Sequence, residues 1–417
     1  MFQIPDYKQM NALKKHIESF LILILILPTI TFGESSVFAL LPKSVGEHYY
    51  PYSVAAQGRG GFSMAIVDSV GLNQMNYALW TNIPRTTFTV GMTYQGLATE
   101  SPTHKIGSLN GSFLGGYLAI PLLVKKITIG FGVQPKSINN QGYTLKNSGL
   151  GVNATQTFKA KGDLSEVQFI TAFAPIQDLS FGLYVYYVFG KISDNTIISY
   201  TDISYADISV QNEYRFYGKH PSIGLSGFLR LTPRMTIGAR LKIPSKTTVY
   251  SQQKSIAGEK KYERYQEITF PLNLTFGMAW HLDNGLVLGG DFDYINWKNG
   301  YLFDGSPLSY MTNSFRIGAG AELKPSARRL ASYTNRMNYR AGIFWGQMNF
   351  LANGHPVNEY GIGLGIGLPV NRESNRIDIA LQVGKRGSIS INGLSEMFLR
   401  LNFSISADEL WFAPDER

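Results

Sequence analysis

A strict alternation of large apolar residues with glycine runs through residues 360–368, which read Tyr-Gly-Ile-Gly-Leu-Gly-Ile-Gly-Leu. After a polar break at 371–375, apolar residues resume at every second position over 377–384. Successive side chains of a strand point to opposite faces, so each run has one apolar face. A helix would scatter these residues around its axis and accumulate destabilising glycines. Residues 359–385 therefore predict two antiparallel strands.

The same period of two recurs from Thr86 onward and marks fourteen candidate strands, most of them about ten residues long or a little longer. A tilted strand needs about 9–11 residues to cross a bilayer. Strands of globular proteins are shorter, most often about 5–6 residues. The strand lengths favour a membrane-spanning sheet; the alternative is a soluble protein with the apolar stripes packed between two sheets.

The predicted connections between the strands alternate between short and long. The short ones are 121–125, 175–178, 232–234, 283–285 and 371–375, and the long ones are 138–161, 192–208, 249–261 and 298–310. Residues 324–336 are an exception, a long link where a short one is expected. Outer-membrane barrels alternate in this way between periplasmic turns and extracellular loops. The backbone N–H and C=O groups of an open sheet edge would find no hydrogen-bond partners in lipid. We therefore predict an all-β fold, a closed antiparallel transmembrane β-barrel of about 14 strands over 86–412.

The first 33 residues have the pattern of a signal peptide. Lys14, Lys15 and His16 precede an apolar run at 20–27, and small residues follow at 31–33. The apolar run is too short to span a bilayer comfortably, which needs about 20 residues. We expect an exported protein with a signal peptide at 1–33; a retained anchor helix is the alternative.

Residues 34–85 do not have the alternation of the strands. Their centre, 57–65, is glycine-rich, and 68–80 predicts one or two short helices with Asp68 or Ser69 as the N-cap. The segment is too short to be a domain. It predicts a small N-terminal helical hatch inside the barrel, or a strap across a sheet.

The composition limits the classes of function. Charged residues make up 16% of the chain, below the roughly 25% of soluble domains, and there is no cysteine. The net charge is +9, but the basic residues are scattered, so nucleic-acid binding is not expected. Attraction to anionic lipid headgroups or anionic ligands is the simpler interpretation.

Catalytic patterns are scarce. The six histidines have no partner at metal-ligand spacing, and neither a nucleophile elbow nor a phosphate loop is present. We therefore expect that the protein is not an enzyme and binds neither a metal nor a cofactor. A hydrolase whose serine, histidine and acid come together across strands remains the alternative.

Basic residues lie on the strand faces opposite the apolar stripes and would point into the lumen of a barrel. They are the candidate ligand-binding residues Arg240, Lys242, Arg316, Arg340 and Arg400. A cationic lumen would favour a ligand that carries an anion. Alternatively, these residues pair with Asp291, Asp378 or Glu322 and brace the interior. The glycines at 361, 363, 365 and 367 either leave room for a plug or passage or relieve strand curvature.

Several stretches resemble the FadL-like outer-membrane transporters of fatty acids and aromatic hydrocarbons. Residues 58–78 resemble their hatch signature, a Gly-Arg-rich segment, an acidic residue and a triplet Asn-Pro-Ala, here Asn-Tyr-Ala at 76–78. Residues 291–297 are similar to their late Asp-x-x-Tyr-x-x-Trp strand. Residues 358–388 and 411–412 resemble FadL-like proteins of Bacteroidetes-type bacteria.

The resemblance implies a fourteen-stranded barrel with the hatch inside, which takes up hydrophobic small molecules passively across the outer membrane of a Gram-negative bacterium. The hatch residues it implies are Gly58, Arg59, Gly61, Asp68, Asn76, Tyr77 and Ala78. PorV-like barrels of a secretion system share the architecture and imply the alternative, a non-transporting accessory of secretion or surface assembly. The expected partners are outer-membrane lipids, lipopolysaccharide and a hydrophobic ligand, or proteins of a secretion system.

Overall fold

The computed structural model describes residues 36–39, 43, 45–147, 154–200, 207–255, 261–325, 331–370 and 375–409. The predicted signal peptide lies outside the described residues. No helix within them is long and apolar enough to cross a membrane.

Fourteen antiparallel strands form a closed barrel. They are β1 Thr86–Glu100, β2 Lys105–Leu123, β3 Ile127–Asn147, β4 Ala154–Ile176, β5 Leu179–Tyr200, β6 Ile208–Tyr217 with Ser222–Thr232, β7 Met235–Lys242 with Ser245–Ser255, β8 Lys261–Phe270 with Asn273–His281, β9 Leu286–Ile295, β10 Ser314–Leu323, β11 Asn338–Ala352, β12 His355–Val370, β13 Asn375–Arg386 and β14 Ser395–Glu409. Each strand pairs with the next, and β14 closes the barrel by pairing with β1 along the whole of Thr86–Glu100. The predicted fold class is confirmed.

The apolar stripes face outward. On β12, Tyr360, Ile362 and Leu364 are 51%, 53% and 54% exposed, and Leu381 of the neighbouring β13 is 39% exposed. A soluble two-sheet protein would bury these residues, so this alternative is wrong. The hairpin of β12 and β13 has the predicted register, with Leu364 opposite Leu381.

Two features interrupt the wall. The strands β6, β7 and β8 each break, near Pro221, Pro244 and Pro271, because proline has no N–H to donate to the ladder. Pairing between β2 and β3 runs from the periplasmic turn only to Gly116 and Val133 in the described part. Beyond that point Glu47–His48 pairs with Ile138 and Ser137 of β3 instead.

Four sequence predictions of local structure are wrong. The loops expected at 138–161, 192–208 and 249–261 are largely strand, because β3 reaches Asn147, β4 begins at Ala154, β5 reaches Tyr200 and β7 reaches Ser255. These extensions lie beyond the apolar stripe, so the lipid-facing alternation that marks a membrane strand is missing from them. Of the one or two short helices expected at 68–80, the part at 68–76 is not helical.

Polar side chains form turns where that helix was expected. Asp68 accepts hydrogen bonds from the backbone N–H groups of Val70 and Gly71, and such local bonds compete with a helix. The helical parts are instead α1, Val54–Gly58, and a 3₁₀ turn, Tyr77–Asn82.

Two segments fold into the barrel. Residues 45–85, called the plug below, lie inside the lumen, where α1 packs on β12 and β13 and the 3₁₀ turn packs on β4 and β5. The connection between β9 and β10, residues 296–313, is called the mouth loop. It contains α2, Trp297–Gly300, and its Leu302–Phe303 pairs with β8. A short helix α3, Ile389–Asn392, lies between β13 and β14.

Candidate functional site in the barrel lumen

The plug is packed as tightly as a protein core. Phe62, Met64, Ala65 and Trp80 have no exposed surface. Six of the seven predicted hatch residues are buried, and Asp68 is half-buried. The plug therefore closes the part of the lumen that it occupies.

Glycines on the inner wall make room for the plug. A Cβ at Gly342 would lie 2.2 Å from the carbonyl carbon of Arg59, and a Cβ at Gly363 would lie 2.4 Å from the carbonyl oxygen of Gln57. Gly365 lies against Gly58 in the same way. Room for a plug is therefore supported for Gly363 and Gly365 of the glycine row, whereas a Cβ at Gly361 or Gly367 would meet only the wall.

A chain of six alternating charges, called the charge ring below, joins the plug to the wall and returns to the plug. Its members in order are Arg59, Glu322, Arg340, Asp378, Arg376 and Asp68. Arg340 lies 3.0 Å from Glu322 and 2.6 Å from Asp378. Arg376 lies 2.9 Å from Asp378 and 2.5 Å from Asp68. Removing one partner of a buried ion pair leaves an uncompensated charge, so the ring holds the plug in place.

Asp68, on the plug, is the last member of the charge ring. Burial alone would raise the pKa of this carboxyl group. The Arg376 guanidinium and the N–H groups of Val70 and Gly71 outweigh burial and hold the pKa of Asp68 well below its usual range. The carboxylate therefore stays charged, and the contact persists, in all but strongly acidic solution.

A second charged cluster surrounds a cavity of about 110 Å³, called the polar cavity below. Arg316 donates to Glu359 at 2.6 Å, and Arg386 bonds both Glu359 and Glu47 of the plug. Arg400 donates to Gln95 of β1 at 2.5 Å but lies 3.8 Å or more from both carboxylates. The cavity lies beside the N-terminal half of β2, which does not pair with β3 among the described residues.

A third cluster lies on the opposite side of the lumen. Glu166 of β4 accepts from Lys136 and from Lys242, each at 2.7 Å. Arg240 lies 3.4 Å from Asp293. The wall on this side therefore also carries paired rather than free cations.

Aromatic and aliphatic side chains form one continuous cluster from the mouth loop to the plug. Its buried large aromatic members, called the aromatic band below, are Tyr77, Trp80, Tyr117, Tyr184, Tyr186, Phe216, Phe270, Trp297, Tyr301, Phe303 and Phe350. At the mouth, the Tyr301 ring lies 6.3 Å from that of Phe270. At the plug, the Tyr77 ring lies 4.8 Å from that of Tyr184. The wall residues of the aromatic band thus lie mainly on β2, β5, β6 and β8, on the side that also carries the third charged cluster, whereas the charge ring and the polar cavity lie along β10–β14.

Comparison with known proteins identifies the family. A family model described as BamG matches residues 44–416, nearly the whole chain. The chain belongs to the BamG family. No curated protein matches it.

Solved structures confirm the fold of this BamG-family chain. A Pseudomonas aeruginosa FadL homologue is 12% identical with a TM-score of 0.59, over 87% of this chain and 99% of that one. The toluene transporter TodX of P. putida is 12% identical with a TM-score of 0.58, over 86% and 99%. The CymD monoaromatic hydrocarbon channel is 14% identical with a TM-score of 0.56, over 88% and 99%. The resemblance to FadL-like barrels is confirmed, and the Bacteroidetes-type branch stays a prediction.

The five lumenal cations predicted from the BamG-family sequence all point inward, and each lies within 4.0 Å of a carboxylate. Arg340 pairs with Glu322 and Asp378, as the bracing alternative expects. Asp291 does not pair with them; its carboxylate accepts from the backbone N–H groups of Ser63 and Met64 on the plug. A ligand role for the five cations stays a prediction.

Several charged residues of this BamG-family lumen escaped the sequence analysis: Lys136, Glu166, Glu359, Arg376 and Arg386. Arg376 follows the polar break before β13, and Arg386 ends that strand. The strand period could have identified the two arginines as lumenal, since Arg376 and Arg386 lie on the same strand face as Asp378.

Proposed function

We propose that this barrel is an outer-membrane channel for passive uptake of hydrophobic small molecules of the fatty-acid or aromatic-hydrocarbon class, closed here by its plug. The aromatic band carries the proposal, because it forms one continuous buried apolar cluster from the mouth loop to the plug, along which solute would move once the plug shifts. The names of the similar structures, a toluene transporter and a monoaromatic hydrocarbon channel, support the same class of solute.

Entry begins at the mouth loop, where Tyr301 and Phe303 are buried against the band. Midway, Lys136 lies 4.1 Å from the centre of the Phe270 ring and 5.7 Å from that of Tyr186. Such a cation would bind the carboxylate of a fatty acid in exchange for Glu166, its partner at 2.7 Å. Trp80 of the plug closes the other end, so the plug must shift before solute reaches the periplasm.

Uptake by reconstituted vesicles tests the proposal. Proteoliposomes with the protein should accumulate radiolabelled oleate or toluene faster than empty liposomes. Phe303→Asn, which places an amide in the band at the mouth, should lower the rate at least fivefold. The control Tyr262→Asn changes an aromatic residue that is 59% exposed and should leave the rate unchanged. A rate equal to that of empty liposomes for both solutes would refute the proposal.

A second candidate function is a non-transporting barrel that assists secretion or surface assembly. The charge ring favours it, since three wall strands and two plug residues lock the plug. This role predicts a stoichiometric protein partner after extraction in mild detergent and no uptake above empty liposomes. Isolation of the barrel alone, together with measurable uptake, would exclude it.

A further inference from the structure

The polar cavity differs in chemistry from the aromatic band, and nothing in the proposed uptake route uses it. Its lining combines three arginines with two glutamates, Arg316, Arg386, Arg400, Glu47 and Glu359, so the charged groups that line it sum to one net positive charge. Its volume of about 110 Å³ far exceeds the roughly 10–15 Å³ that one water molecule needs. The space is therefore large enough for a small solute group.

Buried polar atoms around this cavity lack protein partners. The Nε of Arg316, the Nδ2 of Asn349, the Oδ1 of Asn402 and the Oγ1 of Thr93 accept or donate no hydrogen bond among the described residues. These four residues are all at least nine-tenths buried. Buried polar groups are normally hydrogen-bonded, so these four lining residues keep unused hydrogen-bonding capacity beside the cavity.

Of the three arginines that line the cavity, Arg400 is the one without a hydrogen bond to a carboxylate among the described residues. Its Nε donates to Gln95, while its Nη2 lies 3.8 Å from Glu47 and 4.0 Å from Glu359, beyond hydrogen-bond distance. Arg386, by contrast, bonds two carboxylates. An anionic oxygen could therefore bond Arg400 without displacing an existing partner, and the guanidinium suits carboxylate and phosphate alike.

We infer that the polar cavity is a binding site for an anionic group, a carboxylate or phosphate that carries neighbouring hydroxyl or amide groups. Arg316 and Arg400 bind the anion, while Asn349, Asn402 and Thr93 bind its polar substituents. The inference is independent of the proposed uptake. The cavity borders, through Asn110 and Ser112, the stretch of β2 that does not pair with β3 in the described part. The anionic group therefore belongs either to a dissolved molecule or to the headgroup of a membrane lipid.

Titration calorimetry on the full-length protein tests the site, with D-glucuronate as the soluble probe and neutral D-glucose as its matched control. We expect saturable binding of glucuronate that is at least tenfold tighter than that of glucose. Arg400→Gln should weaken glucuronate binding at least tenfold. Arg230→Gln, at an exposed arginine beside Asp178, should leave it unchanged.

A second variant guards against loss of the fold. Gln95→Glu keeps the hydrogen bond that Arg400 donates to residue 95 and strengthens it with a charge. The added carboxylate also removes the net positive charge of the groups that line the cavity. It should abolish binding in a well-folded barrel. A second arm replaces glucuronate with phosphatidylglycerol in nanodiscs. If the native protein binds this lipid and both variants fail to bind it, the site belongs to a lipid headgroup. Absence of binding in both arms, or binding that neither variant weakens, would overturn the inference.

Discussion

Arg376 on β13 holds Asp68 on the plug through two hydrogen bonds, from Nη1 to Oδ1 at 3.0 Å and from Nη2 to Oδ2 at 2.5 Å. Paired N–H···O bonds between a guanidinium and a carboxylate fix orientation as well as distance. Gly71 permits this approach, because a Cβ there would lie 2.6 Å from the Arg376 Nη2. The pair therefore positions the plug against one strand of the wall.

The first prediction concerns this pair. Asp68→Asn should loosen the plug, because Arg376 then keeps only Asp378 and a buried positive charge is left undercompensated. We expect proteases to cleave the plug at least tenfold faster in detergent, while the barrel stays intact. Asp283→Asn, which removes an exposed partner of Arg234, is the control and should behave as the native protein. Equal cleavage of the plug in both variants would contradict a positioning role for Asp68.

The second prediction concerns the glycines beneath the plug. Gly342→Ala should displace it, since the new methyl group would lie 2.2 Å from the backbone of Arg59. Gly227→Ala is a matched control, because a Cβ there meets nothing within 4 Å. Single-channel recording should show increased conductance for Gly342→Ala only. Identical closed behaviour of both variants would show that the wall and the plug do not fit as closely as described.

The third prediction concerns stability. Glu166→Gln leaves Lys136 and Lys242 without a carboxylate in a buried site and should lower the free energy of unfolding by about 3–5 kcal/mol. Glu267→Gln, at an exposed pair with Lys246, should cost about 1 kcal/mol or less. Urea unfolding in lipid vesicles measures both. A similar small loss in the two variants would mean that the buried cluster contributes no more than a surface pair.

The strands were predictable because each side of the wall imposes a constraint with period two. Lipid selects residues such as Ile362 and Leu364, so the sequence itself indicates the barrel and the number of its strands. In the sequence, the extensions of β3, β4 and β5 carry no such stripe. The strand period is therefore informative only where one face is in hydrocarbon.

The site was only partly predictable. The strand face of Arg340 and Arg400 follows from alternation alone. The partner of Arg376 does not, because Asp68 lies 308 residues away along the chain and its strand neighbours do not indicate it. The turns at Asp68 likewise depend on local hydrogen bonds that compete with the expected helix. Pairing across the lumen is a property of the closed barrel.

The central claim is that solute passes only when the plug moves away from the wall. The chain has no cysteine, so a disulfide can be introduced between α1 and β13 without interference. Val54 and Ala380 belong to one buried cluster across this interface, which makes Val54→Cys with Ala380→Cys the pair of choice.

Oleate uptake into proteoliposomes of this double variant, compared between oxidising and reducing conditions, is the most direct measurement. The account predicts that uptake stops when the disulfide forms and returns on reduction to the rate of the two single variants. Uptake that continues unchanged with the disulfide verified as formed would contradict it.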